Sequence, residues 1–290
     1  MTDELRFAKY VATGNDFVML TDLDDERPLD ADEVVALCDR RTGIGADGVI
    51  RVVRADRHDA AFLMDYRNAD GSPAEMCGNG ARCVGRLARD AGLTEAEEFG
   101  LVTGGGVRRV RSLADGRVAV EMGAPAFERG RVPMRGPSAG TFMGEPLDLG
   151  DGTTVKATAV SMGNPHLVLF VEEVPARIDV GRLGPELERH ELFPERTNVE
   201  FALIVEDGIE ARVWERGSGE TMACGSGACA IVVAANEAGL LPARAVVRFP
   251  GGPLEVERRS DGEVVLTGEA RRVFAGAVDL DALTIGRTTA

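Results

Sequence analysis

Met76-Cys77-Gly78-Asn79-Gly80-Ala81-Arg82-Cys83 decides how this chain is read, because Ala223-Cys224-Gly225-Ser226-Gly227-Ala228-Cys229-Ala230 repeats its pattern 147 residues later (224 minus 77). In both stretches a cysteine is followed by Gly-x-Gly and then by an apolar run. The runs close on Ala91-Gly92-Leu93 and Ala238-Gly239-Leu240, still at the same offset. Gly14-Asn15 and Gly163-Asn164 stand at similar distances ahead of the two cysteines. The echo implies an internal duplication that presents one thiol per half.

Outward from these motifs, both halves read as short strands punctuated by turns. In the first half, Leu5–Tyr10, Val18–Thr21, Val49–Val53 and Ala60–Tyr66 have strand character, and Asp32–Arg40 reads as a helix capped by Asp30 or Asp32. Ala81–Ala91 carries apolar residues at helical spacing, and strands follow at Phe99–Thr103, Val107–Ser112 and Val118–Met122. Pro125–Pro146, rich in Gly and Pro, reads as a hinge region. The second half repeats the plan, with strands at Thr154–Ser161, Leu167–Val171, Val199–Val205 and Ile209–Glu215. Helix Ala228–Ala238 comes next, then strands at Ala245–Phe249, Leu254–Arg258, Val264–Thr267 and Arg271–Val278. The second glycine-led helix is apolar nearly all round, so it belongs inside a sheet. The expected architecture is α+β, two copies of a mostly antiparallel sheet wrapped around a central helix.

The bulk numbers bound the function. A chain of 290 residues can hold two domains, each with its own core. A net charge of −15 argues against binding nucleic acid or an anionic membrane. No run approaches the roughly 20 apolar residues of a membrane span, and the N-terminus has no signal-peptide pattern. A cytoplasmic enzyme acting on a small molecule is expected. Only Lys9 and Lys156 are lysines, so the acidic surface fits either a high-salt cytoplasm or a GC-rich genome. Five cysteines without secretory context do not make a disulfide framework, and their spacing does not resemble a zinc knuckle. No metal site is expected.

A buried helix that begins Cys-Gly-x-Gly has free backbone N–H groups in its first turn, and glycines leave that turn open to a ligand. Its partial positive charge favours a thiolate and a bound carboxylate. Cys38, Cys83 and Cys229 read as small buried hydrophobes; for Cys77 and Cys224 the duplication favours chemistry. Inverting a carbon that carries hydrogen needs a base on one face and an acid on the other, each about 3–3.5 Å from the centre. One thiol from each domain, across an interdomain cleft, suits that task. Most amino-acid racemases instead hold pyridoxal phosphate on a lysine. Neither Lys9 nor Lys156 lies in a phosphate-cradling context, so a mechanism without cofactor follows by elimination.

Gly14-Asn15-Asp16-Phe17, Asn68-Ala69-Asp70-Gly71, Met76–Gly80, Gly163-Asn164-Pro165-His166, Thr197-Asn198-Val199 and Glu215-Arg216 through Ala223–Gly227 together resemble diaminopimelate epimerase. The resemblance covers nearly the whole chain. It implies cofactor-independent interconversion of L,L- and meso-2,6-diaminoheptanedioate, a step towards lysine and cell wall, in a pseudo-symmetric two-domain fold, commonly a homodimer. It implies domains at 1–124 with Cys77, joined by 272–290, and at 125–271 with Cys224. Carried over residue by residue, Cys77 and Cys224 are the alternating acid and base, assisted by His166 and Glu215. Gly78-Asn79 and Gly225-Ser226 would hold the α-carboxylate. Asn15, Asn68, Asn164, Asn198, Glu215 and Arg216 would recognise the amino groups and the distal carboxylate, Arg216 through its bidentate fork.

Two positions depart from the family pattern. Val11-Ala12 stands where many members have His-Gly, and Gly48 where some have a substrate-contacting Gln, so that contact does not carry over. Gly43-Ile44-Gly45-Ala46-Asp47-Gly48 fits G-x-G-x-x-G but follows a helix and precedes a strand, the reverse of a dinucleotide site. Gly104-Gly105-Gly106 reads as a hairpin turn. The nearest alternative is a proline racemase or hydroxyproline epimerase. Those relatives typically carry His where this chain has Asn79, and their small substrate needs no arginine such as Arg216. A rival of another class is a thiol redox or ligand-binding protein that kept the fold and joins Cys77 to Cys224 as a disulfide.

Overall fold

A computed structural model describes residues 4–74, 76–148 and 154–284. The chain divides into two compact units, 1–120 with 269–290, and 121–268. The first holds β1 (Glu4–Ala12), β2 (Asn15–Thr21), α1 (Ala31–Cys38), β3 (Gly48–Arg54), β4 (Phe62–Asn68), α2 (Gly78–Asp90), β5 (Glu98–Thr103) and β6 (Gly106–Ser112), and β7 (Val118–Gly123) begins in it. The second holds β8 (Glu145–Asp148), β9 (Thr154–Ser161), β10 (Pro165–Phe170), α3 (Val180–Glu188), β11 (Asn198–Val205), β12 (Gly208–Glu215), β13 (Gly219–Thr221), α4 (Gly225–Glu237), β14 (Arg244–Phe249), β15 (Gly252–Arg258) and β16 (Val264–Gly268). β17 (Arg271–Asp279) and α5 (Leu280–Thr284) belong to the first unit again.

The two units have one topology. In the first, the strands run β17-β1-β2-β3-β4-β5-β6-β7, parallel at β2–β3 and β4–β5 and antiparallel elsewhere. In the second they run β8-β9-β10-β11-β12-β14-β15-β16, parallel at β10–β11 and β12–β14. A parallel pair needs a crossover. α1 and α3 make the first crossover in each unit, and α2 and α4 make the second.

The central helices are buried as their sequences require. Every residue from Ala228 to Ala235 is fully buried, so α4 is enclosed on all sides. Burial of Ile231, Val232 and Val233 contributes roughly 1.5–3 kcal/mol per side chain. In α2 the glycine at position 85 lets β6 and β7 approach: a Cβ there would lie 2.7 Å from both Val110 Cγ1 and Val118 Cγ1. A second apolar cluster in the first unit packs α1 against β2 and β3 through Val18, Leu20, Val34, Leu37 and Val49.

Three expectations are corrected. Both central helices begin three residues before the apolar run, at Gly78 and Gly225, because the preceding cysteine is itself the N-cap. α3 has no matching periodicity in the sequence, since Gly181, Gly184 and Pro185 interrupt it. Gly184 is required there: a Cβ would meet the Trp214 ring at 2.5 Å. Pro125–Pro146 lies inside the second unit rather than between the two. Val132, Met134 and Phe142 are in the second unit's core, and Ala126 bridges to Ser161. The Gly43–Gly48 stretch runs from the loop after α1 into the first residue of β3, with a Cβ at Gly43 only 2.0 Å from Ala36 O and one at Gly48 2.5 Å from Arg67 O, so those glycines serve packing.

Candidate active site

In the first unit, Cys77 caps α2, its Sγ accepting from Gly80 N–H at 3.3 Å. Gly80 is small because a Cβ would lie 2.8 Å from Ile50 Cδ1 and 3.0 Å from Met64 Cε, so the helix start is pressed onto β3 and β4. Asn79 is buried; its amide donates to Asn15 Oδ1, and its Oδ1 accepts from Thr13 Oγ1 at 3.1 Å and from the buried Arg82 at 2.7 Å. Thr13 and Gly14 turn the β1–β2 hairpin with φ of 44° and 89°, the left-handed pair a two-residue hairpin needs. This turn brings Asn15 to the helix.

Behind Asn15 stands a charged scaffold. Asn15 donates to Asp47 at 3.0 Å; Arg40 bridges Asp47 and Asp16 at 2.7 Å each; buried Lys9 lies 2.7 Å from Asp16. Desolvation works against the Asp16 carboxylate, but bonds from Arg40 and Lys9 outweigh it and hold its pKa down at about 2. Lys9 is therefore a structural lysine.

Phe17, Gly48 and Asn68 are cross-strand partners. With period-two alternation, Asn15, Tyr66 and Asn68 share their face of the sheet. A Cβ on Gly48 would lie 2.6 Å from Tyr66 Cε2 and 2.5 Å from Arg67 O, so the Tyr66 ring fills the space a side chain at Gly48 would take. Asn68 itself donates to Ser72 Oγ at 3.0 Å.

In the second unit, Cys224 caps α4 in the same way, Sγ accepting from Gly227 N–H at 3.4 Å and lying 3.4 Å from Ser226 Oγ. His166 is fully buried on β10 between two oxygens: Nδ1 is 2.6 Å from Glu200 Oε1 and Nε2 is 2.9 Å from Asn164 Oδ1. Asn164 donates to Ser226 at 3.4 Å. Glu215, at the end of β12, accepts from Thr221 Oγ1 at 2.5 Å and interacts with the Cys224 thiol. Burial pushes the Glu215 carboxyl up, against the bonds from Thr221 and Cys224.

The expectation of an acidified thiol fails at Cys224. Burial, then the charges of Glu215 and Glu200, drives its pKa well above the ordinary thiol value, against smaller help from Ser226 and the Gly227 N–H. A helix terminus contributes a fraction of a charge, which desolvation beside two carboxylates outweighs. Cys83 and Cys229 are fully buried and Cys38 nearly so, in keeping with a packing role.

Asn198 donates to Pro165 O at 2.8 Å and accepts from Arg216 N–H at 2.9 Å, so its amide clamps backbone. Arg216 is exposed, its guanidinium 3.2 Å from Glu195 O. The turn after β12 is held by buried Glu188, which accepts from Trp214 Nε1 at 2.8 Å and Gly217 N–H at 3.0 Å. Glu200, Tyr66 and Glu188 were missed in the sequence. A lone acid inside the apolar run Val199-Glu200-Phe201-Ala202 was the available signal for Glu200.

A profile of the family described as "Diaminopimelate epimerase" matches residues 7–128 and 158–273. The chain belongs to the diaminopimelate epimerase family. It is 43% identical over 281 residues to the diaminopimelate epimerase of a Cyanothece strain, covering 94% of this chain and 99% of that one. It is likewise 43% identical over 284 residues to the diaminopimelate epimerase of Moorella thermoacetica, covering 96% and 100%. Among solved structures, a probable proline racemase from Agrobacterium radiobacter aligns over 98% of this chain and 94% of its own, with a TM-score of 0.70 and 15% identity. That likeness concerns the fold alone. Members of the diaminopimelate epimerase family are isomerases. Among the described residues, no helix is long and apolar enough to cross a membrane.

Proposed function

We propose that this protein interconverts L,L- and meso-2,6-diaminoheptanedioate by two-base proton transfer, within lysine and cell-wall precursor synthesis in the cytoplasm. The observation that carries the reading is the pair of Cys-capped buried helices, α2 and α4, in a chain matched to the family almost throughout. Cys77 and Cys224 are the acid and base: one thiolate removes the α-proton, the other thiol delivers its own to the opposite face, and the roles exchange for the reverse reaction.

The first-turn N–H groups at Gly78-Asn79 and Gly225-Ser226 receive the α-carboxylate. Glu215 shares a proton with Cys224, and its raised pKa suits it to that exchange. His166 supports the same end of the site. Asn15, Asn68 and Asn164 present amides to the substrate, and exposed Arg216 meets the distal carboxylate through its fork. Asn198 acts by fixing the Arg216 backbone. No resident cofactor is invoked. A homodimer is supported by β17, where Arg271 to Ala277 are all exposed and Val273 and Phe274 leave 51% and 46% of their surface to solvent.

The test is turnover of diaminopimelate and proline side by side, in D₂O. Early deuterium mainly in the product epimer of diaminopimelate, with no turnover of proline, is expected; turnover of proline alone refutes the assignment. Cys77→Ala and Cys224→Ala should each abolish inversion. Retained turnover in either variant refutes the thiol roles.

A further inference from the structure

Glu200 belongs to none of the roles above, yet it is a fully buried carboxylate on β11, directly beneath the start of α4. A Cβ on Gly227 would lie 2.9 Å from its Oε1, so the helix terminus rests on it. Its Oε2 has no hydrogen-bond partner among the described residues, which leaves His166 as the group that compensates this buried acid. From Glu200 a continuous line of contacts reaches the thiol: His166, Asn164, Ser226 and Cys224, at 2.6, 2.9, 3.4 and 3.4 Å.

We propose that Glu200 is a positioning residue that sets the direction of every hydrogen bond in this line, so that the Ser226 hydroxyl proton points at Cys224 Sγ. The proposal rests on the epimerase reading of the site.

Both His166 ring nitrogens lie against oxygen atoms, Glu200 Oε1 and Asn164 Oδ1, so the line is complete when both ring N–H groups donate. The Glu200 carboxylate balances the charge this creates, and Glu215 adds negative potential nearby. With Nε2–H donating, Asn164 keeps its Oδ1 on the ring and its NH₂ on Ser226, as the structure has them. Ser226 Oγ then accepts, which leaves its own O–H to donate to sulfur. Cys224 Sγ thus receives two donors, the Ser226 hydroxyl and the Gly227 N–H, both stabilising the thiolate. The line answers a specific difficulty of this site, a thiol buried beside two carboxylates that must still lose its proton each cycle.

The test combines ring-nitrogen NMR with kinetics in full-length enzyme labelled with ¹⁵N-histidine. His58→Asn and His190→Asn identify the His166 signals, since the chain has three histidines. At assay pH the wild type is expected to show both His166 nitrogens protonated. Glu200→Gln should lose one of those protons and lower kcat about tenfold, equivalent to about 1.4 kcal/mol, while KM stays within about twofold. Glu200→Asp should restore part of both. Ser226→Ala, at the far end of the line, should lower kcat similarly without altering the His166 signals. A wild-type ring protonated on one nitrogen overturns the proposal, as does a Glu200→Gln enzyme with unchanged ring signals and kcat. A merely structural Glu200 would lower the melting temperature while leaving the ring protonation intact, which also overturns it. The NMR result does not depend on substrate identity, so a wild type inert towards diaminopimelate would refute the functional reading separately.

Discussion

Replacing Asp16 by Asn strikes the scaffold that carries Asn15. Asp16 is only 20% exposed, sits 2.7 Å from Lys9 Nζ and from an Arg40 nitrogen, and has its pKa lowered from 3.8 to about 2. At 1.36 kcal/mol per pKa unit, that depression corresponds to about 2 kcal/mol of stability. The sign follows from which state binds the proton. Between pH 4 and 2 the unfolded chain takes up a proton at position 16 that the folded chain refuses, so acid favours unfolding. The stabilisation is complete above the unfolded value of 3.8 and vanishes as pH falls through about 2. Urea unfolding of wild type and Asp16→Asn at pH 6 should therefore differ by about 2 kcal/mol, and the gap should close as pH falls from about 4 towards 2. An equal stability at pH 6, or a gap unchanged at pH 2.5, would refute the reasoning. The Asn variant should also weaken substrate binding, because Asp47 and Arg40 position Asn15 through the same cluster.

Three other outcomes follow from the geometry. Alkylation of Cys224 by iodoacetamide at pH 8 should be slower than that of a free thiol, and Glu215→Gln should accelerate it by removing the charge that raises the thiol most; an unchanged rate contradicts the assigned cause. Phe274→Asp should convert the proposed dimer to monomers in light scattering without loss of helix signal; a wild type that is already monomeric refutes the dimer, and a dimer that survives the change moves the interface away from β17. Gly85→Ala gains about 1 kcal/mol of helix propensity but crowds two β-branched side chains at a typical cost of roughly 1–3 kcal/mol. A lowered denaturation midpoint is expected, and a raised one would show that Val110 and Val118 can yield.

The sequence by itself determined the α+β class, the central helices and the family. Periodicity is a local property, and two copies of one pattern reinforce each other. By the duplication, α1 corresponds to α3, which fills the matching crossover despite Gly181, Gly184 and Pro185. The candidate residues were legible for the same reason: Cys77 and Cys224 are marked by glycines at fixed spacing. Tertiary structure alone decided their environments. Burial pushes the Cys224 thiol up, the charges of Glu215 and then Glu200, from two different strands, push it further, and no local motif encodes that sum. Tyr66 over Gly48, Glu188 under the Arg216 turn and Glu200 behind His166 are likewise contacts between residues remote in sequence. Such contacts exist only once the strands are in register, because desolvation and charge depend on distance in space.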